Sequence, residues 1–154
     1  SNVHPAAIAH ERDDRVKRLS GKIDRVLVDA PCSGLGTLRR NPDLKWRQNL
    51  QLVQDMTVTQ AAILQSAARL LKPGGRLVYA TCSMLVQENE AIAQAFSEAN
   101  KEFTAMDVGD ILTGLKVNGA AALCSGGENG LRYLRLWPHR HQTDGFFAAV
   151  WQKN

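Results

Sequence analysis

Cys32 and Cys82 are the residues of this chain best suited by type and setting to covalent chemistry. Each follows an apolar run. Val26 to Val28 leads into Asp29-Ala30-Pro31-Cys32-Ser33-Gly34, and Leu77-Val78-Tyr79 leads into Ala80-Thr81-Cys82-Ser83. A cysteine attacks as its thiolate, a minor species at neutral pH unless a helix amino terminus or a nearby cation assists it. The plainer reading, a small buried residue, stays open for both, and it is the expected one for Cys124 in its glycine-rich surroundings. A redox pair is a further alternative, although neither cysteine belongs to a C-x-x-C arrangement. Zinc fits less well, because His139 and His141 lie far downstream of the cysteines and lack close ligand spacing.

Two other groups accompany the cysteines. Asp29, at the end of the first run, can cap a turn or stay solvated. Beside a nucleophile it can instead accept a hydrogen bond from the exocyclic amine of a base, or hold the proton of a ring nitrogen. Arg39, Arg40, Lys45 and Arg47 are interleaved with Trp46, a composition that suits phosphate contacts with base stacking and equally suits a solvated loop.

The elements that must position these residues read as alternating strands and helices. Ile23 to Asp29 and Arg76 to Ala80 have the branched, apolar character of buried parallel strands. Between them, Ala30 to Trp46 reads as a long functional loop, and Val53, Met56, Ile63, Ala67, Leu70 and Leu71 recur at helical spacing, predicting a helix from Leu50 to Leu71 that Pro73-Gly74-Gly75 ends. Glu88 to Asn100 predicts a second helix, with Glu88 and Glu90 at the positive end of its dipole. Phe103 to Val108 is a candidate strand. Leu131 to Leu136 and Phe146 to Gln152 read as an antiparallel hairpin at the sheet edge, joined by Trp137 to Gly145. Residues 1–22 form a lead-in with a short helix or loop from Glu11 to Leu19, and residues 111–130 read as a flexible insertion. The expected fold is α/β with a mostly parallel sheet, and its ligands gather beyond the carboxyl ends of the strands, where Asp29, Cys32 and Cys82 all fall.

Composition narrows the classes. A chain of 154 residues with 44% hydrophobic and 22% charged content can bury the core of one domain. A net charge of +4 is compatible with a polyanionic partner and does not demand one. No apolar run approaches a membrane span and no signal sequence opens the chain, so a cytoplasmic location without membrane contact is expected. Three cysteines make no disulfide framework.

Three ordered stretches carry a resemblance. Val28-Asp29-Ala30-Pro31-Cys32-Ser33-Gly34 with Arg39-Arg40-Asn41-Pro42-Asp43-Leu44-Lys45-Trp46 resembles the fourth motif of the Sun/Fmu RNA cytosine-C5 methyltransferases, of the 16S rRNA type. Tyr79-Ala80-Thr81-Cys82-Ser83, followed by Glu88-Asn89-Glu90, resembles the sixth. Pro138-His139 with Thr143-Asp144-Gly145-Phe146-Phe147 resembles the closing motif. The resemblance implies a Rossmann-like fold that uses S-adenosyl-L-methionine. It implies that Cys82 attacks C6 of cytosine, that Cys32 assists product release, and that Asp29 holds the cytosine edge. Asp29 and Pro31 would lie against the cofactor, and Arg39, Arg40, Trp46 and His139 against RNA, with ribosomal RNA the expected partner. The base must be single-stranded or extruded to be reached.

The chain also departs from the pattern. It shows no glycine-rich loop after a first strand and no ribose-binding acidic residue, elements that precede the fourth motif in the family. The expectation is therefore the carboxyl-terminal half of a catalytic domain, with the main cofactor pocket in an amino-terminal half upstream and little cofactor affinity or activity of its own. An apolar edge beside Val26 to Val28 would then be open to homodimerisation. The alternative is a non-catalytic RNA-binding module in which the cysteines are passive.

Overall fold

The computed structural model describes residues 2–126 and 130–154. A one-turn helix α1 (Asp14–Lys17) precedes strand β1 (Ile23–Asp29). The following loop contains a tight turn at Leu35–Thr37 and a short helix α2 (Leu44–Arg47), and helix α3 (Leu50–Ala68) leads to strand β2 (Leu71–Thr81). Helix α4 (Glu90–Ala99), strand β3 (Phe103–Met106), helix α5 (Val108–Gly114) and strand β4 (Cys124–Gly126) come next. Strand β5 (Arg132–Leu136), helix α6 (Pro138–His141) and strand β6 (Phe146–Lys153) complete the order.

The strands form one sheet in the order β1-β2-β6-β5-β4, with β3 pairing the carboxyl half of β6. The α/β class holds, but the sheet is mixed: β1 and β2 run parallel and the other described pairings are antiparallel. The expected β5–β6 hairpin also sits differently. β6 is interior, bonded to β2 along one side and to β5 and β3 along the other, because its run from Phe147 to Trp151 is apolar on both faces and suits full burial.

Helix α3 starts where Asn49 accepts a hydrogen bond from the Leu52 amide at 2.9 Å. It buries Val53, Gln60, Leu64, Ala67 and Ala68, of which the last three share one apolar cluster with Val28, Leu77 and Tyr79 of the sheet. Its end differs from expectation: the helix stops at Ala68, and Leu71 is already paired with Ile23 in the sheet. Pro73-Gly74-Gly75 therefore makes a bulge within β2 rather than a helix stop. Gly74 has φ +76°, and a Cβ on Gly75 would stand 2.8 Å from both Leu71 Cδ2 and Lys72 O, so the bulge depends on both glycines.

The α4 side of the core is aromatic. Phe96 meets Phe103 at 5.4 Å and Trp151 at 4.8 Å between ring centroids, both edge-on, and the Trp151 indole donates to Ser97 Oγ at 2.8 Å. Over its described residues the stretch expected as an insertion folds into α5, a turn at Ala120–Leu123 and β4, while residues 127–129 fall outside the described set. Just before that stretch, Gly109 in α5 leaves room for the Arg132 guanidinium, which a Cβ would meet at 2.4 Å. Among the described residues no helix is long and apolar enough to cross a membrane.

Candidate active site

The parallel register of β1 and β2 sets Asp29 beside Ala80, so the two Cys-Ser dipeptides leave the sheet from adjacent strand ends. Cys32 Sγ and Cys82 Sγ lie 3.5 Å apart, although fifty residues separate them in the chain. Ser33 Oγ and Ser83 Oγ lie 3.2 Å apart beside them. Both cysteines are half-buried and both serines fully buried, so the thiols face the opening and the hydroxyls face the core.

Burial pushes the Cys32 thiol up to about 12, against a smaller lowering by the Gly34 amide and a further rise from Cys82. Cys32 thus keeps its proton at neutral pH, and in the sulfur–sulfur contact either thiol can donate.

The Cys32 loop is fixed from a distance. Gln60 donates to the Pro31 carbonyl at 2.9 Å, Gln48 donates to the Ser33 carbonyl at 2.7 Å, and the Ala30 amide donates to the Ala80 carbonyl at 2.9 Å. The Cys82 turn is tied largely within itself. Thr81 Oγ1 donates to Asn89 Oδ1, the Ser83 amide donates to Thr81 Oγ1 at 3.2 Å, and Asn89 donates to the Ser83 carbonyl at 3.0 Å. Two glycines lock loop and turn together. The Gly36 amide donates to the Cys82 carbonyl at 2.8 Å, and the Gly145 amide to the Gly36 carbonyl at 2.8 Å. A Cβ on Gly36 would stand 2.6 Å from the Cys82 oxygen and 2.4 Å from the Gly145 oxygen, so no other residue fits there without movement.

The remaining predicted residues fall around this centre. Asp29 and Pro31 are exposed, and the Asp29 carboxylate has no hydrogen bond or ion pair among the described residues. Arg39 is exposed, Trp46 is 81% exposed with the Lys45 ammonium 4.9 Å from its ring centroid, and His139 is exposed on α6 with its ring 6.2 Å from that of Trp137. Arg40 differs from expectation in being engaged: its Nε donates to Asp144 at 2.7 Å, and NH2 bonds the same oxygen, tethering the loop to the segment before β6. Among the described residues no cluster of His, Cys, Asp and Glu could hold a metal ion, and His141 Nε2 is spent on the Ala122 carbonyl at 2.8 Å.

Sequence reasoning missed the residue at the centre of this arrangement. Glu88 belongs to a tight turn at Val86–Glu88, not to α4, and its side chain is fully buried instead of facing solvent at a helix start. It accepts hydrogen bonds from the Ser33 amide, Ser33 Oγ, Ser83 Oγ and Gln60. One signal was legible. Gln60 lies seven residues after Val53 and four before Leu64, so it is a polar residue on the buried stripe of α3 and required a buried partner.

The chain is similar to known proteins over most of its length. Residues 3–152 match the family described as 16S rRNA methyltransferase RsmB/F. The chain is 38% identical over 131 residues to a probable ribosomal RNA small subunit methyltransferase B of Synechocystis, covering 85% of this chain and 27% of that protein. It is 36% identical to ribosomal RNA small subunit methyltransferase F of Aeromonas salmonicida, covering 85% of this chain and 26% of that one. Among solved structures, NSun6 from Pyrococcus horikoshii superposes with a TM-score of 0.69 at 29% identity, over 90% of this chain and 32% of that chain. The chain thus spans about a quarter of the length of the curated relatives it matches. The likeness extends to the fold as a whole, a Rossmann-like α/β arrangement, and with a match that runs over nearly every residue, the chain belongs to the RsmB/F family of 16S rRNA methyltransferases.

Proposed function

We propose that this chain is the nucleophile-bearing part of an enzyme that methylates C5 of cytosine in ribosomal RNA, with Cys82 as the attacking sulfur and Cys32 as its proton-bearing partner. The observation that carries the reading is the 3.5 Å contact between the two sulfurs at neighbouring strand ends. A cytosine ring resists substitution at C5 until a nucleophile adds at C6, and the two steps need different groups. Cys82 forms a bond to C6 through its thiolate, which makes C5 electron-rich. Asp29, exposed and unpartnered, holds the edge of the base. After methylation a water takes the C5 proton, the electron pair of the C5–H bond re-forms the C5–C6 double bond, and the Cys82–C6 bond breaks with its electron pair returning to the Cys82 sulfur. Cys32, with its thiol protonated, sits against the same sulfur and assists that release.

The methyl group comes from S-adenosyl-L-methionine, as an electrophilic carbon on sulfur. The residues present fit one wall of such a site: an open carboxylate at Asp29 and the exposed Pro31 beside it. The rest of the pocket is assigned to protein upstream of this segment, and the support is twofold. The relatives are about three times as long, and β1 has one side without a strand among the described residues, with Leu27 on it 68% exposed. We assign that open edge to the same upstream protein rather than to a second copy of the chain. The ribosomal substrate is taken from the family, and Arg39, Arg40, Trp46 and His139 are the exposed residues that would face RNA.

The test uses the full-length protein. Cys82→Ala is expected to abolish methyl transfer to ribosomal RNA, and Cys32→Ala to accumulate a protein–RNA adduct that survives a denaturing gel. Full methylation by Cys82→Ala would overturn the reading in favour of an RNA-binding module with passive cysteines.

A further inference from the structure

We propose that Glu88 is a positioning residue that sets the distance and orientation of the two active-site thiols by clamping the serine that follows each of them. The proposal rests on the reading of Cys82 and Cys32 given above and assigns no group that touches the base.

Glu88 is a fully buried carboxyl group with four neutral hydrogen-bond donors and, among the described residues, no cation paired to it. Its Oε1 accepts from the Ser33 amide at 2.8 Å and from Gln60 Nε2 at 3.0 Å. Its Oε2 accepts from Ser33 Oγ at 2.6 Å and from Ser83 Oγ. The direction of the hydroxyl bonds is set by the backbone. Ser83 Oγ accepts from the Leu85 amide at 3.0 Å, Ser33 Oγ accepts from the Leu35 amide at 3.5 Å, and each hydroxyl hydrogen is thereby turned toward the carboxylate. Charge-assisted bonds of this kind are stronger than neutral ones and hold geometry tightly, but burying an acidic group without a cation is costly. An apolar residue would fill the same volume at less cost. What the carboxylate does that an apolar residue cannot is accept from both Cys-Ser dipeptides at once.

The geometry follows the clamp. Ser33 and Ser83 are the neighbours of Cys32 and Cys82, so a carboxylate that fixes the hydroxyls 3.2 Å apart also fixes the backbone from which the sulfurs project, 3.5 Å apart. Gln60 extends the same network to the Pro31 carbonyl, and Tyr79 on β2 donates to the Glu88 carbonyl at 2.7 Å, so the clamp is itself anchored on α3 and the sheet. A misplacement of about 1 Å at reacting atoms can cost on the order of a hundredfold in rate, so small changes in this network should register in turnover.

Glu88→Gln conserves volume and keeps one oxygen, but it places an amide NH2, itself a donor, against donors on one side of the clamp. In the full-length protein we expect kcat to fall at least tenfold, with KM for ribosomal RNA and for S-adenosyl-L-methionine within twofold of wild type. A second readout does not depend on methylation: a trivalent phenylarsenical, which bridges two adjacent thiols with loss of water, should bind Glu88→Gln at least fivefold more weakly than wild type. Its binding site is verified by loss in Cys82→Ser. A folded Glu88→Gln protein with wild-type kcat and wild-type arsenical affinity overturns the clamp. Should Glu88→Gln fail to fold, Ser83→Ala takes its place, since it removes one donor of four. There a lowered kcat with unchanged KM and weakened arsenical binding supports the clamp, and wild-type values in both overturn it. Methylation that survives Cys82→Ala strikes the underlying reading instead, and the arsenical comparison then still decides whether Glu88 sets the thiol pair.

Discussion

The two Cys-Ser turns are alike in sequence and opposite in how they are held. Cys82 leaves β2, a strand paired on both sides, and its turn is closed by Thr81 and Asn89, within eight residues of one another. Cys32 leaves β1, which is paired on one side among the described residues, and its loop is fixed by Gln48 and Gln60, drawn from other parts of the chain, while Glu88 bonds the serines of both turns. The turn built from local bonds presents the sulfur assigned to attack. The loop built from long-range bonds presents the sulfur assigned to release. A nucleophile must be in place before any substrate binds, and local closure with low loop entropy provides that. A partner that acts later can depend on the assembled fold.

The strongest way to break this comparison is to exchange the fates of the two sulfurs. In the full-length protein Cys82→Ser should lower single-turnover methyl transfer by a factor of about 10³ or more, because a serine hydroxyl is a far poorer nucleophile without an adjacent base. Cys32→Ser should leave the first methyl transfer within about tenfold and block release. Equal losses of the first step in both variants would show that the division of labour is wrong.

Gly36→Ala comes next in size. A Cβ there would meet the Cys82 and Gly145 carbonyl oxygens below 3.0 Å, so the loop and the turn must separate. Overpacking of this kind costs roughly 1–3 kcal/mol, and the displaced Cys82 backbone should lower kcat on the order of a hundredfold. Thermal unfolding and steady-state kinetics measured together check both.

Gln48→Ala sharpens the contrast, since it removes one long-range tie to the Cys32 loop and none to the Cys82 turn. The expected outcome is a severalfold rise in the steady-state fraction of protein–RNA adduct with the rate of its formation unchanged, read by quenched-flow sampling on denaturing gels. A slower formation step would mean that the two turns are mechanically one unit.

The legibility of these features in the sequence follows the same division. The ends of β1 and β2 and the positions of Cys32 and Cys82 were readable because apolar runs and the turns after them are local patterns. The helical stripe of α3 was readable as well, though its end was misplaced, since pairing of Leu71 with Ile23 outweighed the punctuation at Pro73-Gly74-Gly75. The interior place of β6 was not readable from a hairpin signal, because which strand joins β2 is decided by tertiary burial of Phe147, Ala149 and Trp151. Glu88 was misread for a related reason. An acidic residue near a helix start normally faces solvent, and only the meeting of Ser33, Ser83 and Gln60, from three distant segments, makes its burial tolerable. The pairing of Arg40 with Asp144, more than a hundred residues away, was not readable either, and it leaves the Arg40 side chain exposed.

The Cys32 thiol also couples stability to pH. The folded protein holds the Cys32 proton to about 12, whereas the unfolded chain gives it up near 9. The folded state therefore carries more protons between these values, and stability should fall as pH rises from about 9 toward 12. The slope stays below the one-proton limit of about 1.4 kcal/mol per pH unit, since the thiol is only half-buried. Cys32→Ala should flatten the alkaline limb in denaturant titrations at successive pH values. A limb unchanged by Cys32→Ala would remove the buried thiol as its cause.

The smallest effect is expected far from both turns and serves as their control. Asp107 caps α5 through the Asp110 amide and pairs with Arg132 on β5, whose hydrogen bond is the main cause that lowers the Asp107 carboxyl to about 2. Its pKa is depressed, so the pair stabilises fully above about pH 4 and is lost as pH falls toward 2. The pair is partly exposed and solvent screens it, so Asp107→Asn, which can still cap the helix, should cost only about 0.2–1 kcal/mol at neutral pH and flatten the acid limb. Methyl transfer and the adduct fraction should both match wild type, because no bond of this pair reaches the Cys32 loop or the Cys82 turn. A change in the adduct fraction here would mean that release senses stability anywhere in the sheet, and the long-range ties of Cys32 would then lose their special standing.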